Sequence, residues 1–228
     1  MGIAGVGTPP YRIETERLVI RCYDPRDAEA LADSVNSSLD HLSPWMPWAA
    51  HAEVDAQVAL LRSFRAQFDA DDNYVYGVFD RDEARVVGGS GFHPRGGPGS
   101  LEIGYWMRAD SIGMGYATEV AGVLTRVGFE ICGVARMDIQ IEPTNVRSRR
   151  VPEKLGYTHE ATLRRRLPQR REGTDLRDSM VFTMVREELA SSPCMSFRYR
   201  AYDAAGRAIG VSHRNGVRHR YVRGPPAT

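Results

Sequence analysis

The chain has 228 residues, of which 42% are hydrophobic and 26% are charged. These values fit one globular domain with a single well-filled core better than two domains. The formal net charge of +1 excludes a general electrostatic attraction to nucleic acid or membrane, so any basic surface must be local.

Cysteine usage and hydropathy indicate the cellular compartment. Cys22, Cys132 and Cys194 lack C-x-x-C spacing, which argues against a disulfide framework or a zinc site and favours buried thiols. The sequence contains no apolar run of membrane-spanning length and no signal-peptide pattern. We therefore expect a cytoplasmic protein with no metal site and no membrane partner.

Apolar periodicity predicts alternating strands and helices between residues 12 and 190. Period-two patterns predict strands over residues 18–22, 74–79, 85–92, 101–108, 136–141, 157–165 and 178–186. Helical spacing predicts helices after Asp24-Pro25 and over residues 53–68, 116–132 and 145–155. This mixed order predicts an α/β or α+β fold, with helices layered on a sheet.

Both ends differ in composition from this core. Residues 1–11 are rich in Gly and Pro and predict a flexible N-terminal arm. Residues 191–228 hold seven arginines and one acid, which defines a basic C-terminal extension. Alternation over 195–201 before a turn at 203–207 predicts a β-hairpin, and we expect the final residues to form a disordered tail.

The segment between Leu101 and Leu155 carries the strongest chemical signal. A predicted strand ends near Arg108, and Gly113-Met114-Gly115 leads directly into a predicted helix. Two glycines let backbone N–H groups approach a ligand closely, and the first turn of a helix adds unpaired N–H groups and a positive dipole end. These features predict a phosphate or pyrophosphate site, although a tight strand-to-helix turn would also need the glycines.

Familiar nucleotide motifs do not match this loop. Thr118 stands where the Rossmann fingerprint requires its third glycine, and the Walker lysine is missing. Dinucleotide or nucleoside triphosphate binding through those motifs is therefore disfavoured.

Five sequence runs keep a common order and spacing between residues 12 and 188. They are residues 14–21 with the Trp45/Trp48 loop, then 102–108, 113–119, 142–148 and 153–157. Together they resemble N-acetyltransferases of the GNAT superfamily, specifically its RimJ/RimL-like branch. The resemblance implies a GNAT fold over residues 12–190, with a mixed, mostly antiparallel sheet that is flanked by helices and splays between strands 101–108 and 136–142.

The resemblance also implies a set of residues that hold acetyl-CoA, the co-substrate. Pantetheine would lie in the splay, paired with the main chain of Trp106 and Met107 and contacted by Asn145, and the pyrophosphate would lie on the glycine loop. The other implied cofactor-binding residues are Arg108, Ile112, Gly113, Met114, Gly115, Tyr116, Ala117 and Thr118.

Three positions depart from the family pattern. Ile112 stands where polar or aromatic residues are common, and Met114 stands where Arg or Lys often contacts phosphate. Pro152 replaces a tyrosine that serves as the acid in many members, and a proline there could bend the helix. Backbone N–H groups could still hold the anion without a basic side chain at position 114.

Two residues are candidates for proton transfer. An amine must be neutral to attack a thioester, so we expect Glu102, on the central strand, to act as general base, directly or through water. Its alternative role is a surface or salt-bridged carboxylate. Ser148 could donate to the leaving thiolate in place of the missing tyrosine, or simply cap its helix. No arrangement suggests an acyl-enzyme, so we expect direct transfer in a ternary complex.

The acceptor is less defined than the donor. Trp45 and Trp48 could line an acceptor pocket or anchor the core. The acceptor could be a protein N-terminal α-amine or a small amine such as an antibiotic or aminoacyl compound, and the donor could be another acyl-CoA such as succinyl-CoA. A non-catalytic CoA-binding interaction module is the contrasting class. We expect no nucleic-acid partner, and a homodimer would fit the family.

Overall fold

The computed structural model describes residues 7–169 and 175–212, and within these ranges all strands join one mixed sheet. The strands are β1 (Arg12–Glu14), β2 (Leu18–Cys22), β3 (Tyr74–Asp80), β4 (Val86–His93), β5 (Ser100–Met107), β6 (Arg136–Ile141), β7 (Thr158–Leu167), β8 (Arg177–Val185), β9 (Arg200–Tyr202) and β10 (Ala208–Val211). Their order across the sheet is β10-β9-β1-β2-β3-β4-β5-β6-β8-β7. Every neighbouring pair is antiparallel except β5 and β6.

Helices cover both faces of this sheet. They are α1 (Ala28–Asn36), α2 (Leu39–Leu42), α3 (Val54–Asp69), α4 (Tyr116–Glu130) and α5 (Val146–Leu155). Val19 of β2 packs with Leu61 of α3 in the cluster that also includes α1. Ile103 of β5 packs with Leu124 of α4 and Leu155 of α5 on the opposite side. None of the helices in the described residues is long and apolar enough to cross a membrane.

Helix boundaries follow the expected capping chemistry. Asp24 accepts a hydrogen bond from the N–H of Arg26 and begins a 3₁₀ turn over Pro25–Asp27, which leads into α1. Asn145 caps α5, and Gly156 ends it with a φ of 81°. A left-handed residue at this position favours glycine because other side chains are strained there.

The parallel strands β5 and β6 separate soon after they begin. Their register includes only Ser100–Glu102 opposite Arg136–Asp138. Beyond that point β5 stays paired with β4, and β6 stays paired with β8 along its whole length. The result is a wedge-shaped gap beside residues 103–107, as the family resemblance implied.

The expected N-terminal arm is fixed to the body over its described part. Gly7 N–H donates to the carbonyl of Cys132 at 2.7 Å, and Pro9 and Pro10 are buried. The carbonyl of Pro10 accepts from the hydroxyl of Tyr76 at 2.8 Å. Residues 7–11 are therefore not a loose arm, and residues 1–6 lie outside the described residues.

The C-terminal extension joins the same sheet and the same core up to residue 212. β9 pairs with β1, placing Ala201 opposite Ile13, and β10 completes a hairpin after the turn at 203–207. The strand expected from residue 195 is wrong at its start, because Ser192 and Pro193 begin a 3₁₀ turn over Pro193–Ser196. The expected disordered tail lies outside the described residues.

A buried ionic network links this extension to α4. Arg126 is 0% exposed, and its guanidinium donates to Glu130 and to the carbonyl of Phe197 at 2.6 Å. The hydroxyl of Tyr199 donates to the other oxygen of Glu130 at 2.7 Å. Residues 197–199 therefore pack with the core, because Phe197 and Tyr199 supply hydrogen bonds to this buried ion pair.

Candidate active site

The loop between β5 and α4 has the backbone geometry that its glycines predict. Gly113 and Gly115 have φ values of 83° and 80°, and a Cβ added at Gly113 would meet no protein atom within 4 Å. Gly115 is the N-cap of α4, and no side chain caps the helix. Among the described residues, the N–H groups of Tyr116, Ala117 and Thr118 therefore remain available to an anion.

An arginine from β2's N-terminal turn holds this loop in place. Arg17 Nη1 donates to the carbonyl of Met114 at 2.8 Å, and its guanidinium lies 4.8 Å from the centre of the Tyr116 ring. Arg17 also pairs with the buried carboxylate of Glu119, which accepts from Thr15 Oγ1 at 2.6 Å. Thr15 and Arg17 lie in the run of residues 14–21 that resembles the family, but the resemblance did not imply this role for them.

The remaining loop residues are placed as follows. Met114 is 53% exposed, so its apolar side chain is not a core residue. Ile112 is half-buried at the end of the 3₁₀ turn that follows β5. Arg108 is set apart, because its N–H donates to Val87 and its carbonyl accepts from Ser111. Its guanidinium pairs through Nη1 with Asp33 and through Nε with Asp110, so its charge is already engaged by two carboxylates.

Trp106 and Met107 lie at the open side of the sheet. Both pair with β4, at Gly89 and Gly88. On the side facing β6 they have no strand partner among the described residues. Their main chain is therefore positioned for the pairing with an extended ligand that the resemblance implied.

A cavity of about 870 Å³ occupies the gap and continues under the α2–α3 connection. Its lining includes Trp45, Trp48, Trp106, Glu102, Asn145 and Ser148. Trp48 is 51% exposed and makes an edge-to-face contact with Trp106, with ring centres 5.7 Å apart. The two predicted pocket tryptophans thus share one cavity with both proposed proton-transfer residues.

Glu102 is enclosed in this cavity. Its side chain is only 10% exposed, and its oxygens accept from Gln140 Nε2 at 2.9 Å and from Arg95 Nη1 at 3.4 Å. Burial raises the pKa of Glu102, the nearby charge of Asp138 raises it further, and Arg95 opposes both effects. A carboxylate with a raised pKa is a stronger proton acceptor than an exposed one.

Ser148 lies on the other side of the gap and is bonded to a tyrosine. Its N–H donates to Asn145 Oδ1 at 3.1 Å, so Asn145 acts as a helix cap. Ser148 Oγ donates to the hydroxyl of Tyr105 at 3.1 Å. The Tyr105 hydroxyl in turn donates to the carbonyl of Ser148 at 3.0 Å. Helix α5 continues through Pro152 to Leu155.

Two cavity residues, Tyr105 and His93, were not predicted from the sequence, and the role of Arg17 at the glycine loop was not predicted either. Strand periodicity puts Glu102 and Trp106 on one face of β5 and Tyr105 on the other, so the sequence pattern did not associate Tyr105 with Glu102. His93 is the cross-strand partner of Glu102 and also lines the cavity. Within residues 7–169 and 175–212, no group of three or more His, Cys, Asp or Glu side chains could hold a metal ion.

Comparisons with known proteins show which proteins this chain is similar to. The family described as acetyltransferase (GNAT) domain matches residues 17–158. The chain is 28% identical over 159 residues to the [ribosomal protein uS5]-alanine N-acetyltransferase of Escherichia coli, covering 67% of this chain and 80% of that protein. It is 26% identical to the uncharacterized N-acetyltransferase YoaA of Bacillus subtilis, covering 76% of this chain and 96% of YoaA.

A solved structure with a bound carrier is also similar. RimJ of Mycobacterium smegmatis in complex with CoA-disulfide superposes with a TM-score of 0.70 at 25% identity, covering 89% of this chain and 95% of that chain.

Proposed function

This chain belongs to the GNAT acetyltransferase family, and we propose that it transfers the acetyl group of acetyl-CoA to the α-amine of a protein N-terminus. The observation that carries the proposal is the gap between β5 and β6, whose cavity is lined by Glu102, Trp106 and Ser148. The open edge of β5 leads from this cavity towards the glycine loop, which follows the strand in the chain.

The donor site is supported by the shape and the free backbone groups of the gap. Open N–H groups at the start of α4 suit the pyrophosphate, and the unpaired side of Trp106 and Met107 suits the pantetheine arm. Gly113, Gly115, Tyr116, Ala117 and Thr118 are the proposed anion-binding residues, with Ile112 and Met114 contributing main chain. Asn145 lines the cavity near the arm, and we leave Arg108 out of the proposed set.

Glu102 and Ser148 are the proposed proton-transfer residues. The amine nitrogen attacks the acetyl carbon, a C–N bond forms and the C–S bond breaks. Glu102 takes the proton that the amine loses, directly or through water, and Ser148 donates a hydrogen bond to the departing thiolate. Tyr105 positions Ser148, because it accepts the serine hydroxyl while the site is at rest.

An α-amine suits this machinery better than a lysine side chain does. Its pKa of about 7.7–8.0 leaves roughly 1 kcal/mol to deprotonate it at pH 7, compared with about 4.6 kcal/mol for a lysine amine near pKa 10.4. One buried carboxylate is a sufficient base to deprotonate an α-amine. The similar Escherichia coli enzyme is named as an alanine N-acetyltransferase of ribosomal protein uS5, which favours a protein acceptor whose first residues Trp45 and Trp48 hold.

Release of CoA thiol across an amine panel tests this proposal. We expect acetyl-CoA and a short peptide with N-terminal alanine to give turnover, and the same peptide with a blocked N-terminus to give none. Turnover with the blocked peptide through a lysine would contradict the α-amine assignment. Binding of CoA without thiol release for any amine would instead indicate a non-catalytic CoA-binding module.

A further inference from the structure

His93, at the end of β4, is bonded to a chain of polar side chains that runs through Asn73 to α3. Its Nδ1 lies 2.7 Å from Asn73 Oδ1. Asn73 Nδ2 donates to Gln67 Oε1 at 3.2 Å, and Gln67 Nε2 donates to Ser63 Oγ at 3.0 Å. Asn73 donates through Nδ2 to Gln67, so its oxygen faces the imidazole, and in the tautomer that pairs with this oxygen Nδ1 carries the proton and Nε2 keeps its lone pair.

The Nε2 edge of the His93 ring lies beside Gly104 of β5. A Cβ added at Gly104 would lie 3.1 Å from His93 Nε2, so the glycine leaves the space that the ring edge occupies. Among the described residues, Nε2 has no hydrogen-bond partner. His93 and Glu102 are direct cross-strand partners, so their side chains leave the sheet on the same face and enter the same cavity.

The imidazole stays neutral in this environment. Burial, together with the smaller effect of the positive charge of Arg95, lowers the pKa of His93 to about 4. Glu102 faces it from β5, and Asn73, which is uncharged, faces it from the β3 side. A neutral Nε2 accepts a hydrogen bond from an amine, whereas a protonated ring would repel an ammonium group.

We propose that His93 Nε2 and Glu102 together hold the attacking nitrogen, and that this pair selects primary over secondary amines. A neutral primary amine has two N–H groups, one for each acceptor, while its lone pair points at the thioester carbon. A neutral secondary amine has one N–H, so one buried acceptor is left without a partner. This inference rests on the proposed function, since it assigns a second contact to the same acceptor site.

Kinetics with paired peptides test it. The probes are an alanine-initiated peptide and the same peptide beginning with N-methylalanine, each with saturating acetyl-CoA. His93→Leu removes the acceptor, and His93→Gln keeps an oxygen near the position of Nε2. His159→Leu is the matched control, since His159 is exposed on β7.

In the wild type we expect kcat/KM to favour the primary amine by about tenfold or more, the usual effect of one unsatisfied buried group. His93→Leu should reduce kcat/KM for the primary amine and bring the ratio of the two peptides towards one, with unchanged KM for acetyl-CoA. His93→Gln should recover part of the ratio, and His159→Leu should leave it unchanged.

Two failures are distinguishable. If the wild-type protein does not bind acetyl-CoA, the proposed function itself is overturned. Normal donor binding and turnover, together with the same peptide ratio in wild type and His93→Leu, would overturn only the role of His93.

Discussion

The hydroxyl of Tyr105 donates to the carbonyl of Ser148 at 3.0 Å, in the place of a helical N–H. Residue 152, four positions after Ser148 in α5, is a proline and has no N–H to give. The carbonyl that Pro152 leaves unpaired is thereby satisfied from β5 across the gap. In this chain, Pro152 stands at the position where the resemblance implies a tyrosine, and it leaves the Ser148 carbonyl open to the hydroxyl of Tyr105.

Unfolding measurements can test this compensation. Tyr105→Phe should lower the free energy of unfolding by about 1 kcal/mol, because it leaves a partly buried carbonyl without its protein donor. In a Pro152→Ala background, residue 152 regains its N–H, so the same change should cost less. Urea denaturation of the wild type, both single variants and the double variant gives the coupling energy. Equal costs of Tyr105→Phe in the two backgrounds would contradict the compensation.

Loss of the contact between Tyr105 and Ser148 should also affect catalysis. We expect Ser148→Ala to lower kcat, since the developing thiolate loses a donor, with little change in the affinity for CoA. Tyr105→Phe should lower kcat by a smaller factor, because it removes only the group that positions Ser148. Steady-state kinetics of both single variants and the double variant should therefore be non-additive. Undiminished kcat in Ser148→Ala would exclude Ser148 as the donor.

The pH–rate profile tests Glu102. Its pKa is raised, and it must be deprotonated to act as base, so kcat/KM should fall as the pH drops through that raised pKa. Glu102→Gln should lower kcat by about a hundredfold or more and abolish this acidic limb. The limb that reports deprotonation of the amine itself should remain. Glu29→Gln, an exposed carboxylate on α1, is the control and should keep the full profile.

An unchanged profile of kcat/KM in Glu102→Gln would exclude Glu102 as the base. His93 could not then take over as the base, because an imidazole with a pKa of about 4 takes up a proton poorly at neutral pH.

Much of the fold could be predicted from sequence because its signals are local. Asp24-Pro25 and Gly156 fix helix ends through chemistry that acts within a few residues. The same rules failed at residue 195, where alternation predicted a strand but Pro193 began a 3₁₀ turn. A local pattern could not show that residues 200–202 would pair with β1, which precedes them by nearly the whole chain.

The candidate site was predictable in its loop and less so in its cavity. Gly113 and Gly115 could be found because positive φ and close approach both require glycine. Tyr105, His93 and Arg17 acquire their roles from partners distant in sequence, such as Ser148, Asn73 and Met114. The residue types of these three positions do not by themselves indicate a role, which depends on the partner that the fold brings close.

Paired glycine variants test the anion site. Gly113→Ala and Gly97→Ala both place a side chain at positive φ, where a Cβ meets no protein atom within 4 Å. The two variants should therefore carry similar backbone strain of about 1–3 kcal/mol. Only Gly113 lies in the proposed anion loop, so calorimetry should show weaker CoA binding for Gly113→Ala alone. Equal affinities of the two variants would contradict a pyrophosphate at residues 113–117.

Amide hydrogen exchange with and without CoA tests the central claim most directly. If the carrier lies in the gap, its pantetheine pairs with the open side of β5 and its pyrophosphate binds the start of α4. We therefore expect saturating CoA to slow exchange in segments covering residues 103–107 and 113–118 and to leave residues 177–185 unchanged. Unaltered exchange in both of the first two segments would contradict the account.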